Sequence, residues 1–246
     1  MSKVRELPAW MKAKHNKESE STDCQNIQSY RPNQKKPDVK EKDLSFAEQL
    51  ATCLTFNGKV HYIHQKDEGN FVCQNMLDSP HKPIVCGFDI EWKVNYRAGE
   101  GLCKTALLQI CTSEKECFLF HLAAMNGFPV ALKCLLEDKN IIKTGVGIDG
   151  DMSKLRTDYK VNPVGVVDLS QMLNEIKKIN EKWSLNGMLV HVVKKRLEKD
   201  PKIRCSNWER FPLSQKQIEY ATLDAYVSSL KDLLKKTLRK LIKTTR

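Results

Sequence analysis

The 246-residue chain has no uninterrupted apolar run approaching the roughly 18 residues that a membrane helix needs. Its opening stretch, MSKVRELPAWMKAKHNKESE, has basic groups but no apolar segment behind them. These absences exclude a helical membrane protein and give the expectation of a soluble chain without a secretory leader. Nine cysteines are present, an odd number with no CxxC pair, which points to reduced thiols and away from a zinc site or a disulfide framework. Internal repeats are lacking as well. Acidic groups are the minority: 41 Lys plus Arg against 30 Asp plus Glu leave a net charge of +11. Such an excess favours an anionic partner, nucleic acid first, although a basic surface can also serve solubility alone.

With 41% apolar residues the chain can bury one sizeable core. Residues 1–44 are rich in Lys, Glu, Ser, Asn, Gln and Pro and read as a disordered basic tail, because too few apolar groups are there to offset chain entropy. A domain is expected over 45–232, followed by a basic helical extension over 233–246. Within the domain, SFAEQLATCL reads as a short helix, FNGKVHYIH as a turn and a strand alternating Val60 and Tyr62, and the next segment as a loop leading to a strand at 84–91. The glycine-containing, basic stretch 93–104 is expected to be a mobile hairpin loop before the strands TALLQIC and ECFLFHL. VALKCLLED, DMSKLRTDY, a segment ending at Ile179, WSLNGMLVHVVKKRLEKD and the long stretch from Ser214 read as helices, with strands at KTGVG and VGVVDL. Ser214 and Gln217 have capping-box spacing. Antiparallel strands first, then strands alternating with helices, predict an α/β fold with a mixed sheet and helices on both faces.

The strand PIVCGFDIEW carries Asp89 and Glu91 two residues apart, so both carboxylates leave the same face and repel. A DxE pair at a strand end also occurs on ordinary solvent-facing surfaces. TGVGIDGD delivers Asp151 to the start of a helix, on the same face as Leu155 and so toward the sheet; Asp149 is the competing choice, expected to cap the helix. In IEYATLDAYV, Tyr220 and Asp224 are one turn apart beside small alanines. Alone, that pair reads equally as a core tyrosine bonded to a core aspartate. If the four acids converge, they supply hard oxygen ligands for two divalent ions, which would remove the repulsion. Mg²⁺, with Mn²⁺ able to replace it, suits such ligands; none of the six histidines falls in a motif that would favour zinc.

FDIEW, GVGIDGDMSKL and YATLDAY, in this order, resemble the three motifs of the DEDD 3′-5′ exonucleases, the ribonuclease D-like superfamily. Tyrosine four residues before the last aspartate matches the tyrosine branch, since Glu219 stands where the other branch has histidine. KWSLNGMLVHVVKKRLEKDPKIRCSNWERFPLSQKQIEYATLDAY is similar to the exonuclease domains of the Werner syndrome protein type.

The resemblance implies a ribonuclease H-like (DnaQ-like) fold and two-ion hydrolysis at DNA 3′ ends that releases nucleoside monophosphates. Asp89, Glu91, Asp151 and Asp224 would be the ligands and Tyr220 the water-orienting group. It further implies duplex DNA with a recessed 3′ end or a fork as substrate, a part in DNA repair or replication beside protein partners it does not specify, and residence in the nucleus. RNA trimming of the ribonuclease D kind and non-cutting nucleic-acid binding are the alternatives. No helicase motif follows, so the expectation is either a free-standing exonuclease or the front end of a longer protein. Candidate substrate contacts are Trp92, Arg97, Lys104, Lys194, Lys195, Arg196, Lys202 and Arg204, each of which also fits a solvated surface or, for Trp92, a core position.

Overall fold

Strand β3, Ile84–Trp92, sorts its side chains by parity. Phe88 and Ile90 enter one core with Leu108, Ile110 and Phe120, so Asp89 and Glu91 must leave the opposite face, where Leu107, Cys111 and Leu119 meet a helix. In this computed structural model residues 50–95 and 103–230 are described. Besides β3, the strands are β1 (Thr52–Cys53), β2 (Lys59–Ile63), β4 (Thr105–Cys111), β5 (Glu116–Phe120), β6 (Ile141–Gly145), β7 (Val166–Asp168) and β8 (Lys195–Arg196). The helices are α1 (Lys66–Leu77), α2 (Val130–Glu137), α3 (Ile148–Tyr159), α4 (Leu169–Lys177), α5 (Leu185–Val193), the four-residue α6 (Pro201–Arg204) and α7 (Gln215–Ser229).

Six strands form one mixed sheet in the order β2-β5-β4-β3-β6-β7, with β3, β4 and β5 antiparallel and the outer pairings parallel. Helices α1, α2 and α3 cover one face, and α7 lies across the other. A second pair, β1 with β8, runs parallel apart from the main sheet. No described helix is long and apolar enough to cross a membrane.

The close approach of α7 to β3 depends on Gly87. A Cβ there would lie 1.9 Å from the Ala225 carbonyl oxygen and 2.5 Å from the Ser229 nitrogen, so the helix backbone rests on the strand backbone. The Thr144 hydroxyl reaches the Ser228 carbonyl at 2.6 Å and ties the same helix to β6. At the helix start, Ser214 and Gln217 form the reciprocal capping box their spacing predicts. Turn α2–β6 is closed by the buried Lys143, whose Nζ donates to the carbonyls of Leu136, Asp138 and Ile141 at 3.0, 3.3 and 2.6 Å. Burial pushes its pKa down to about 8, which still leaves it mostly charged at neutral pH, and three acceptors meet its three ammonium protons.

Several expected boundaries differ. The segment between β2 and β3 is not a loop throughout but contains the twelve-residue α1. Of the helix expected over 45–54, residues 45–49 lie outside the described residues, and Thr52–Cys53 is a strand. The helix expected over 183–200 stops at Val193, where Lys194 adopts φ 62° and the chain turns into β8. The strand at KTGVG begins earlier, at Ile141. The basic tail, most of the 93–104 loop and the C-terminal extension lie outside the described residues.

Candidate active site

Asp89, Glu91 and Asp224 present carboxylate oxygens that all lie within 4.8 Å of one another. Two come from the C-terminal half of β3 and the third from α7, and the Gly87 contact sets their separation. Asp224 is buried, whereas Asp89 and Glu91 keep some solvent exposure. Loss of solvation is the largest influence on each of the three and raises every pKa. The neighbouring carboxylates add to it: Asp89 is pushed to about 7 by burial and by Asp224, and Glu91 well above its ordinary range by burial, Asp89 and Asp224.

Asp151 arrives from the other side of the sheet, in the first turn of α3, and lies outside the 4.8 Å group. Its charge is nevertheless linked to that group, because burial, then Asp89 and Asp168, raise its pKa to about 8. Asp149 is exposed and turned to α4, where it accepts a long 3.5 Å bond from Gln171. It does not cap the helix as expected. The N-cap is Gly147, at φ 70° and with no side-chain cap, and the turn is held instead by Asp168, whose Oδ2 accepts the Gly147 amide at 2.7 Å.

Tyr220 is buried against Trp208, with ring centroids 6.1 Å apart, and its hydroxyl beside Asp224 lowers that group's pKa. Burial, followed by the charges of Asp224, Glu91 and Asp89, raises the phenol well above the usual tyrosine range. It is therefore a neutral donor at physiological pH. Below the acids, Gln109 stands opposite Asp89 in the β3–β4 ladder, fully buried, and neither amide atom finds a partner among the described residues.

The donor set fits divalent cations. Three carboxylates held this closely, with a fourth coupled to them, bind protons more tightly than free carboxylates do, so added positive charge favours their ionised form, and oxygen-only ligands suit Mg²⁺ or Mn²⁺. Two cations of the protein already lean on the cluster. Lys199, which no motif contains, pairs with Asp224 at 3.0 Å, and the charge of Arg204 lowers the pKa values of Glu91, Tyr220 and Asp224.

The remaining basic candidates are dispersed. Lys194 and Lys195 are exposed at the α5–β8 junction, and Arg196 pairs with Cys53 in the β1–β8 ladder. Lys202 and Lys104 are exposed, and Arg97 lies outside the described residues. Trp92 packs at the edge of the core with Lys154 Nζ 5.0 Å from its ring centroid.

A sequence profile of the 3′-5′ exonucleases matches residues 60–243. The chain belongs to the 3′-5′ exonuclease family. That family depends on divalent metal. Among its relatives, the mouse bifunctional 3′-5′ exonuclease/ATP-dependent helicase WRN is 43% identical over 173 residues, 70% of this chain and 12% of that protein. A 3′-5′ exonuclease of Arabidopsis thaliana is 42% identical over 142 residues, 58% of this chain and 49% of that protein. The chain thus spans half or less of the length of these two curated relatives. Two solved structures share its fold: the Aedes aegypti Nibbler EXO domain, at TM-score 0.63 and 18% identity over 78% of this chain and 94% of that one, and Trypanosoma brucei RNase D in complex with RNA U12, at 0.62 and 20% over 80% and 65%. The fold is ribonuclease H-like, as the motif order implied.

Proposed function

We propose that the chain removes nucleoside monophosphates from DNA 3′ ends with Asp89, Glu91, Asp151 and Asp224 as ligands of two divalent ions, Mg²⁺ or Mn²⁺. One observation carries this reading: three carboxylates from two different elements meet within 4.8 Å. Asp89, Glu91, Asp151 and Asp224 would hold the ions, which would supply an acidified water and charge neutralisation for phosphodiester hydrolysis.

The chain's own groups do the rest. Asp89 and Glu91 are fixed by the strand, Asp224 by a helix seated on Gly87 and tied to β6 through Thr144, and Asp151 by the Asp168–Gly147 bond, so the ligand positions exist before substrate arrives. Tyr220, a neutral phenol beside Asp224, orients the attacking water by a hydrogen bond and takes no proton. This arrangement belongs to the tyrosine branch of the family. Arg204 draws the phosphate backbone toward the cluster.

DNA as the preferred polymer is supported by the motif resemblance and by 43% identity to a bifunctional exonuclease/helicase. A part in repair or replication and nuclear residence rest on the same likeness. The deciding experiment incubates purified protein with a 5′-labelled, 3′-recessed duplex, and with the matched RNA, in Mg²⁺, Mn²⁺ or EDTA. A descending ladder on DNA that EDTA abolishes is expected. Faster shortening of the RNA would move the substrate to RNA trimming.

A further inference from the structure

On the solvent side of Asp224 stands Lys199, a residue on the short connection between β8 and α6. Its Nζ lies 3.0 Å from Asp224 Oδ1, 3.2 Å from Oδ2 and 5.5 Å from the centre of the Tyr220 ring. Its charge also favours ionisation of Asp89 and Glu91. The two partners are unequally exposed, 36% for the Lys199 side chain and 6% for Asp224, so the ammonium stands between a buried carboxylate and bulk solvent.

The backbone that carries it is fixed on both sides. Ahead of it the Leu197 amide donates to Asn186 Oδ1 at 2.7 Å; after it Asp200 accepts the Lys202 amide at 2.9 Å and starts α6. Further on, Gln217 of α7 donates to Ser206 Oγ at 2.9 Å and the Asn207 carbonyl at 3.1 Å, and the Trp208 indole donates to the Arg204 carbonyl at 3.0 Å. The helix that supplies Tyr220 and Asp224 therefore also anchors the segment that supplies Lys199. A lysine held this way is placed, while its four-carbon stem leaves the head group free to shift by a few ångströms.

We infer that Lys199 is a phosphate-positioning residue that serves as counter-ion to Asp224 in the ion-free protein and passes to a non-bridging oxygen of the phosphate bound at the cluster. The reasoning rests on the exonuclease reading of this site. An ammonium has three donors and no acceptor, so with Asp224 satisfied by a divalent ion its donors need another anion, and a phosphate entering from solvent meets Lys199 first. Had its work been only to neutralise Asp224, a divalent ion would do the same and the residue would be idle in the working enzyme.

Calorimetry on Lys199→Met and Lys199→Arg separates these possibilities, first with Mn²⁺ alone and then with thymidine 5′-monophosphate added to Mn²⁺-saturated protein. In Lys199→Met, Mn²⁺ affinity is expected to stay equal or rise a few-fold, because a competing cation has gone, while thymidine monophosphate binding weakens about tenfold or more. Lys199→Arg should recover most of that loss. Single-turnover cleavage should fall in the same order. A tenfold loss of Mn²⁺ affinity in Lys199→Met would make the residue a support for Asp224, and unchanged nucleotide binding would make it a counter-ion alone; either overturns the inference. Wild-type protein that binds Mn²⁺ and nucleotide but cleaves no polymer would sink the exonuclease reading, and the nucleotide titration would still decide the role of Lys199.

Discussion

The Asp168 carboxylate accepts the Gly147 amide at 2.7 Å while its other oxygen caps α4 by accepting the Ser170 amide at 2.8 Å and the Gln171 amide at 3.1 Å. One side chain thus joins the end of β7 to the turn that aims Asp151. Asp168→Asn keeps the shape but can turn an amide donor toward the Gly147 N–H. It should destabilise the protein by about 0.5–2 kcal/mol, since a half-buried cap acceptor is lost and a donor is left facing a donor. Urea unfolding in EDTA reads that loss, and Mn²⁺ affinity should fall with it as Asp151 shifts. A variant with unchanged stability would remove Asp168 from this role.

Alanine at Asp89, Glu91, Asp151 or Asp224 should abolish cleavage and leave the protein folded. Each removes an ion ligand from a cluster whose members raise one another's pKa values, so ion-free thermal unfolding should occur at an equal or higher temperature than in wild type. Asp149→Ala should behave as wild type, because that side chain faces α4 and solvent. Loss of activity in Asp149→Ala with activity kept in Asp151→Ala would reverse the assignment within this motif.

The raised values also fix the sign of a pH effect. Asp89 at about 7 and Asp151 at about 8 take up protons in the folded state well above the ordinary 3.8, so their stability contribution is full below about pH 4 and is lost as pH rises through 7 and 8. Asp151→Asn, which cannot ionise, is expected to gain on wild type between pH 5 and 9 by up to a few kcal/mol in EDTA. Saturating Mn²⁺ should cancel that advantage. A difference in unfolding free energy that stays flat across this range would show that Asp151 is not held in a desolvated, anionic site.

Much of this arrangement is legible in the residues. Strand β4 has the bounds of TALLQIC, and Ser214 caps α7 as its spacing to Gln217 demands, because short continuous apolar runs and cap chemistry are local signals. Helix α1 is not legible for a physical reason: Phe71 is 68% exposed while Gly69 is buried, so the stripe is inverted where it would have shown, and Gln65 gives no side-chain cap. Lys199 and Asp168 escaped for another reason. Each acts through a partner 25 or 21 residues away in sequence, and no spacing rule reaches that far. The LEKDP segment does place Lys199 among charged neighbours, but only the fold shows which of them faces an acid.

Basic groups near the cluster and far from it should separate in salt. Arg204→Ala should slow cleavage of both long duplexes and a dinucleotide, because its charge is felt at Glu91 and Asp224. Replacing Lys194, Lys195 and Arg196 together by Ala should weaken binding of a long duplex and flatten the slope of log affinity against log salt, with the dinucleotide spared. Filter binding at four salt concentrations measures the slope. If it does not change, those three residues are an ordinary solvated surface.

Tyr220→Phe isolates one oxygen. The ring packs on Trp208 and lies beneath Lys199, and phenylalanine keeps both contacts, so fold and stability should change little. What disappears is the hydroxyl next to Asp224, a neutral donor whose pKa lies far above physiological pH and which therefore acts by orientation. If it aligns the attacking water, single-turnover cleavage at saturating Mg²⁺ should drop by a factor on the order of 10² while Mn²⁺ and DNA affinities stay within about twofold. The pH–rate profile should keep its shape, since no titrating group has been removed. A tyrosine that only fills the core predicts the opposite pattern, with wild-type turnover in Tyr220→Phe.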